Sequence, residues 1–97
     1  MKQEIFNNYG KKVFQLFYLT NEEVFTKSKM RERVDARHLL YYLCSKRPMR
    51  ITYIQKYMKA NGYNINHSSI IHGINVMKEK VNEDGDYVDI LVMCEDV

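Results

Sequence analysis

The chain has no tryptophan, one proline, two cysteines and four glycines among its 97 residues. Cys44 and Cys94 are far apart and belong to no CxxC pair. Neither a disulfide framework nor a zinc ribbon is indicated, and both are expected as buried thiols. With Pro48 the sole proline there is no Pro-rich linker, and no internal repeat or low-complexity tract interrupts the chain. No segment approaches the roughly 18 uninterrupted apolar residues of a membrane span. The opening MKQEIFNNYG also lacks the apolar run of a secretory signal, so a cytoplasmic protein without a membrane partner is the expectation. Loops of the GxxxxGK[ST] or GxGxxG type are missing as well, so no nucleotide cofactor is expected.

What is present is the composition of one soluble globular domain, with 45% hydrophobic and 28% charged residues. The modest net charge of +3 hides an uneven distribution. Residues 27–59 carry ten basic side chains against Glu32 and Asp35, a net +8; from Lys80 onward one lysine faces six acids, a net −5. A basic middle and an acidic tail point to a polyanion-binding face on one side of the fold; the alternative is a set of solvated helix faces.

Ile5, Phe6, Tyr9, Val13, Phe14, Leu16 and Phe17 recur at three- and four-residue spacing, the stripe of an amphipathic helix. Gly10 weakens that helix by about 1 kcal/mol without ending it. TNEEVF reads as a new helix start, with Thr20 or Asn21 as the cap and Glu22 and Glu23 at the positive end of the dipole. TKSKMRER is polar, basic and aperiodic, and is expected to be a loop through residue 33. Ala36, Leu39, Leu40 and Leu43 mark a helix stopped near Arg47 by Pro48. Ile51, Ile54 and Met58 mark a shorter one, Gly62 the turn after it, and Asn66 the cap of a longer helix with inner stripe Ile70, Ile74, Met77 and Val81. The tail fits either a helix begun at Asp84 or Asp86 or a strand, with the helix preferred. The expected architecture is one all-α domain of about six helices spanning 1–97, with a helix-turn-helix at about 50–81 and an acidic tail at 82–97.

The stretch NINHSSIIHG concentrates the polar chemistry. His67 and His72 are five residues apart, about 140° around a helix, so they cannot share a metal as an i, i+4 pair does. Ser68 and Ser69 have no base oriented by a third group, and no GxSxG elbow exists. An enzyme, a metal centre and a small-molecule substrate are therefore not expected. Recognition remains: the second of two helices joined by a Gly-containing turn offers its N-terminal side chains to a DNA major groove. Asn, His and Ser suit contact with base edges, while the helix N-terminus and nearby cations suit phosphates. An Asn cap followed by two serines also opens many ordinary helices.

YGKKVFQLFYLTNEEVFTKSKMRERVDARHLLYYL followed by NHSSIIHGI resembles the C-terminal DNA-binding domain of the bacterial replication initiator DnaA, a Trp repressor-like helix-turn-helix domain. The resemblance runs in order over roughly residues 5–81. It implies phosphate and minor-groove contacts by Lys27, Lys29, Arg31 and Arg37, and base reading by Asn66, His67, Ser68 and Ser69, which match the family's DHTT element. His72 matches the second histidine of its HTTVLH pattern. Asn66 replaces an acid and the serines replace threonines, which implies a different base preference. Asn75 and Val76 stand where the family has basic residues, leaving Lys78 as the nearest phosphate contact, and the turn KANGYNI is longer than the family's. The resemblance does not extend to the family's ATPase module.

The bland reading stays beside each of these. Arg37 is either the minor-groove arginine or a surface arginine paired with Asp35 or Glu32. His67 is a reader or a capping histidine, and His72 a contact or a packing residue. Arg50, near the start of the first helix of the pair, suits a bridging phosphate. Tyr41, Tyr42, Tyr53 and Tyr57 read as core and helix-surface filling. The expected partner is double-stranded DNA in replication or transcription control, in a bacterial or phage-infected cell. The alternative is a protein-interaction or structural module that kept the fold and lost the DNA contacts, with the acidic tail as a protein docking element.

Overall fold

A computed structural model describes residues 1–95. Its centre is the third helix, α3 (Arg31–Lys46), in which Ala36, Arg37 and every residue from Leu39 to Cys44 are buried. A helix covered on nearly all sides lies inside a bundle rather than on its surface. Around it are α1 (Lys2–Leu16), α2 (Asn21–Val24), α4 (Ile51–Ala60), α5 (His67–Glu83) and α6 (Gly85–Cys94). Among the described residues the chain is thus all-α, with six helices. Helix α1 packs Phe6, Tyr9, Val13 and Phe14 inward, at the spacing its sequence dictates. Helix α5 lies along the opposite side of α3, and α6 closes over α5 and α1 with Leu91 and Cys94. Both cysteines are buried free thiols, and burial pushes Cys44 up to about 12.

The ends of the helices follow local chemistry. Thr20 and Glu23 form a capping box: the Thr20 hydroxyl accepts from the Glu23 amide at 3.1 Å, and the Glu23 carboxylate accepts from the Thr20 amide at 2.9 Å. Those bonds, joined by Arg33, hold the Glu23 carboxyl below its ordinary range. Gly62 ends α4 with φ +84, its amide donating to Lys59 O while the Tyr63 amide reaches back to Met58 O. This is the Schellman arrangement, in which the left-handed residue is normally glycine. The same arrangement ends α1, but there the left-handed position is Tyr18, with φ 56.

The basic loop is shorter than expected, and the tail takes the helix preferred for it. The basic loop ends at Met30, not at residue 33, because α3 begins at Arg31 and Arg33 pairs with Glu23 at 3.1 Å. That ion pair and the amides of Arg33 and Val34 donating to Met30 O draw the aperiodic RER into the first turn. The tail is helical from Gly85 to Cys94, capped by the Asp84 carboxylate accepting from the Asp86 amide. Asp96, the last residue of the expected acidic run, lies outside the described residues.

Close approach of α3 and α5 depends on Gly73. A β-carbon there would stand 2.6 Å from His38 Cδ2 and 3.0 Å from Tyr41 Cδ2. The glycine therefore sets how near α5 lies to α3.

Candidate nucleic-acid interface

The α4–α5 turn is built to present the start of α5. Gln55 Nε2 donates to Ile65 O at 2.8 Å, and the Asn66 side-chain oxygen accepts from the Ser69 amide at 2.8 Å. Asn66 is thus the cap its position predicts. Its oxygen is committed to the helix; only its amide nitrogen is left to donate outward. Beyond it, Ile70, Gly73 and Met77 turn inward while His67, Ser68, Ser69, His72, Asn75 and Lys78 are exposed.

Helical geometry divides these exposed residues. At 100° per residue, Ser68, His72 and Asn75 share the outermost stripe, whereas His67 and Lys78 fall on a flank with Ile71. The structure follows this division for Ser68, His72, His67 and Lys78, while Asn75 lies outside the cleft that the others of the stripe line. Asn66, Ser68, Ser69 and His72 line one cleft together with Lys27, Lys29 and Arg37 from across the molecule. His67, Lys78 and Arg50 do not line it. Arg50 is the exposed N-cap residue of α4, its carbonyl accepting from the amides of Tyr53 and Ile54. Arg31 belongs elsewhere too: it lines a separate notch with Asp35, Lys80, Glu83 and Asp84, so its charge faces carboxylates.

Arg37 differs most from expectation. It is neither a free groove arginine nor a partner of Asp35 or Glu32; it is only 5% exposed. Its Nη1 donates to Val24 O at 2.9 Å and Thr26 O at 3.3 Å, and its Nη2 to Ser28 O at 2.6 Å. Its guanidinium also stacks 4.9 Å from the centre of the Tyr63 ring. The last residue of α2 and the loop after it have no helical amides to satisfy these carbonyls, so the guanidinium fork does it. Asp35, freed from that expected pair, meets Lys80 on α5 at 2.6 Å.

Lys27 completes the link. Its ammonium donates to Asn64 O in the α4–α5 turn and sits 4.3 Å over the Tyr63 ring. Tyr63 is therefore gripped by a cation from the loop and a second from α3. Sequence reasoning passed over this tyrosine. The signal available was its place directly after Gly62, where a helix-ending motif brings an apolar side chain back onto the fold. Lys29 stays exposed and forms no ion pair among the described residues. The site thus combines a cationic loop, a fixed aromatic and the N-terminal turn of a long helix.

His38 and His72 approach edge to face with centroids 6.0 Å apart. Burial, and secondarily the nearby His72, lower the His38 pKa, so its imidazole is neutral at pH 7. Among the described residues no group of three or more His, Cys, Asp or Glu is placed to hold a metal, and no helix is long and apolar enough to cross a membrane. No family model, curated protein or solved structure matches the chain.

Proposed function

We propose that this protein binds double-stranded DNA with sequence preference, in replication or transcription control. The observation that carries the reading is the alignment of the open N-terminal turn of α5 with the loop bearing Lys27 and Lys29 along one cleft. Ser68 and His72 offer small or hydrogen-bonding side chains to base edges, and Lys29 and the first amides of α5 offer charge and donors to phosphates. The resemblance to the DnaA DNA-binding domain supports the same assignment. Arg37 acts in it as the residue that shapes the loop. The protein has no catalytic role in this reading, and a cytoplasmic setting in a bacterial or phage-infected cell belongs to the proposal.

Fluorescence anisotropy on a random-sequence duplex tests it. Binding at ~50 mM salt should fall steeply as salt rises, in proportion to the phosphates neutralised. Lys29→Ala should weaken all sequences and reduce the salt slope by about 1, whereas His72→Ala should change the preferred site selected from randomised DNA. Absence of any binding at ~50 mM salt would refute the proposal.

A second reading has one observation in its favour. Helix α6 leaves Val88, Val92 and Met93 about half exposed or more, beside Asp86, Asp89 and Glu95. An apolar strip flanked by acids suits a basic protein partner better than DNA. Under that reading the protein does not bind duplex DNA at ~50 mM salt, and Val92→Glu abolishes binding of the protein partner.

A further inference from the structure

The cleft between the loop and α5 is more than a seam between two phosphate-contacting elements. Its volume is about 530 Å³, within the usual span of small-molecule sites. Its walls include Val34, Tyr41, Tyr63 and Ile65, which are flat or apolar surfaces suited to a planar ring. Two residues of its lining each carry a buried polar atom with no protein partner: the hydroxyl of Tyr41, a residue only 1% exposed, and Nδ1 of His38. Leaving buried polar groups unpaired is costly, and folds rarely tolerate it without a reason.

The chemistry of those two groups narrows what fits. Burial raises the Tyr41 pKa and lowers that of His38, so both are neutral. A neutral phenol both donates and accepts, and a neutral imidazole nitrogen does either according to its tautomer. Together they match the mixed donor–acceptor edge of a heterocyclic base. The rim supplies the opposite chemistry, with the Lys29 ammonium on one side and the amides opening α5 on the other.

We propose that this cleft takes a single nucleotide, with its base between the aromatic walls and reaching Tyr41 and His38, and its phosphate held at the rim. Lys27, which bridges the cleft to Asn64, is the side chain that yields on entry, and its ammonium then joins Lys29 at the phosphate. The nucleotide comes either free or as an unpaired residue of a bound strand; only the second source rests on the DNA-binding reading. No glycine-rich phosphate loop is required, because helix amides and lysines do that work.

The test is an amide-resolved NMR titration of the whole protein with AMP, GMP, CMP and TMP, and separately with inorganic phosphate. It is paired with anisotropy on duplexes with and without one unpaired nucleotide. For a free nucleotide, one or more of the four shifts the amides of Ser28, Lys29, Ser68 and Ser69 and gives intermolecular NOEs from base protons to the Tyr41 or His38 ring. Tyr41→Phe then weakens it about fivefold, the worth of one neutral hydrogen bond. For a strand nucleotide, the mononucleotides are silent, the bulged duplex binds more tightly than the paired one, and Tyr41→Phe removes the difference. Should Tyr41→Phe not fold, NOEs from base protons of the mononucleotide or bulged nucleotide in the parent protein decide. The proposal is overturned if phosphate alone reproduces the shifts without base NOEs, or if mononucleotides are silent and the two duplexes bind alike. Binding of the paired duplex by itself bears on the DNA reading and not on this one.

Discussion

Replacing Arg37 separates a loop-building arginine from a DNA-contacting one. In Arg37→Met the aliphatic stem is kept and the guanidinium is lost, leaving the carbonyls of Val24, Thr26 and Ser28 without their donor. A hydrogen bond from a charged donor contributes about 1.5–3 kcal/mol. The three do not add, because the loop can relax and expose its carbonyls to water, so the expected loss is about 3–4 kcal/mol. For a domain of this size that corresponds to a fall in Tm of about 12–32 °C. Arg37→Lys keeps the charge but cannot reproduce a planar fork reaching three carbonyls while stacked on Tyr63, and about half of that loss is expected. Circular dichroism at 222 nm, with heat and urea, measures both variants. An arginine whose role was phosphate contact would behave in the opposite way, with DNA affinity falling and Tm unmoved. A midpoint for Arg37→Met within about 2 °C of the parent would refute the reasoning.

Gly73→Ala should destabilise by about 1–3 kcal/mol, since its β-carbon meets the His38 and Tyr41 rings and α3 and α5 must part; an unchanged urea midpoint would contradict that. Tyr18→Gly should stabilise by about 1 kcal/mol, because Tyr18 sits at φ 56 and is 94% exposed, with little packing to lose; a lower Tm would mean that the tyrosine makes a contact worth more than its strain. Asn66→Asp should keep the cap and leave Tm the same or slightly higher, whereas Asn66→Ala should cost about 1 kcal/mol; equal midpoints for the two would refute the cap. Stability should also fall on acidification. His38 has its pKa lowered in the fold, so below its unfolded value near 6.5 the unfolded chain binds more protons. Stability therefore rises with pH between the folded pKa and about 6.5. His38→Gln should flatten the dependence in that window, and an unaltered slope would exclude His38 as its source.

How much of this was legible in the sequence depended on whether the information was periodic. The stripes of α1, α4 and α5 follow from apolar spacing, and the caps at Thr20 and Asn66 from a side-chain oxygen placed before exposed amides. Six helices could therefore be read, and the tail resolved into a helix once Asp84 was recognised as a cap. Arg37 was not legible in its role, because a charged residue in a helical pattern reads as surface. Its burial comes from carbonyls 9 to 13 residues earlier, at the end of a one-turn helix and in the aperiodic loop that follows it. Arg31 was misplaced for the same kind of reason: a run of basic residues looks like one loop, but helix geometry turns Arg31 toward Asp35 and Asp84 while Lys29 stays with the loop. In sequence His67 and Ser68 are equivalent candidates; a rotation of 100° sets them on different surfaces.

The grip on Tyr63 has a consequence for how affinity and specificity are coupled. Lys27 reaches it from the loop, Arg37 reaches it from α3, and Tyr63 itself belongs to the turn that aims α5. The loop and α5 are thus positioned through one side chain rather than independently. In many helix-turn-helix arrangements phosphate contacts and base contacts can be altered separately. Here a change at Tyr63 should disturb both at once. Tyr63→Leu fills much of the same space but offers no ring face to either cation. It removes the shared reference point while keeping the apolar packing that ends α4.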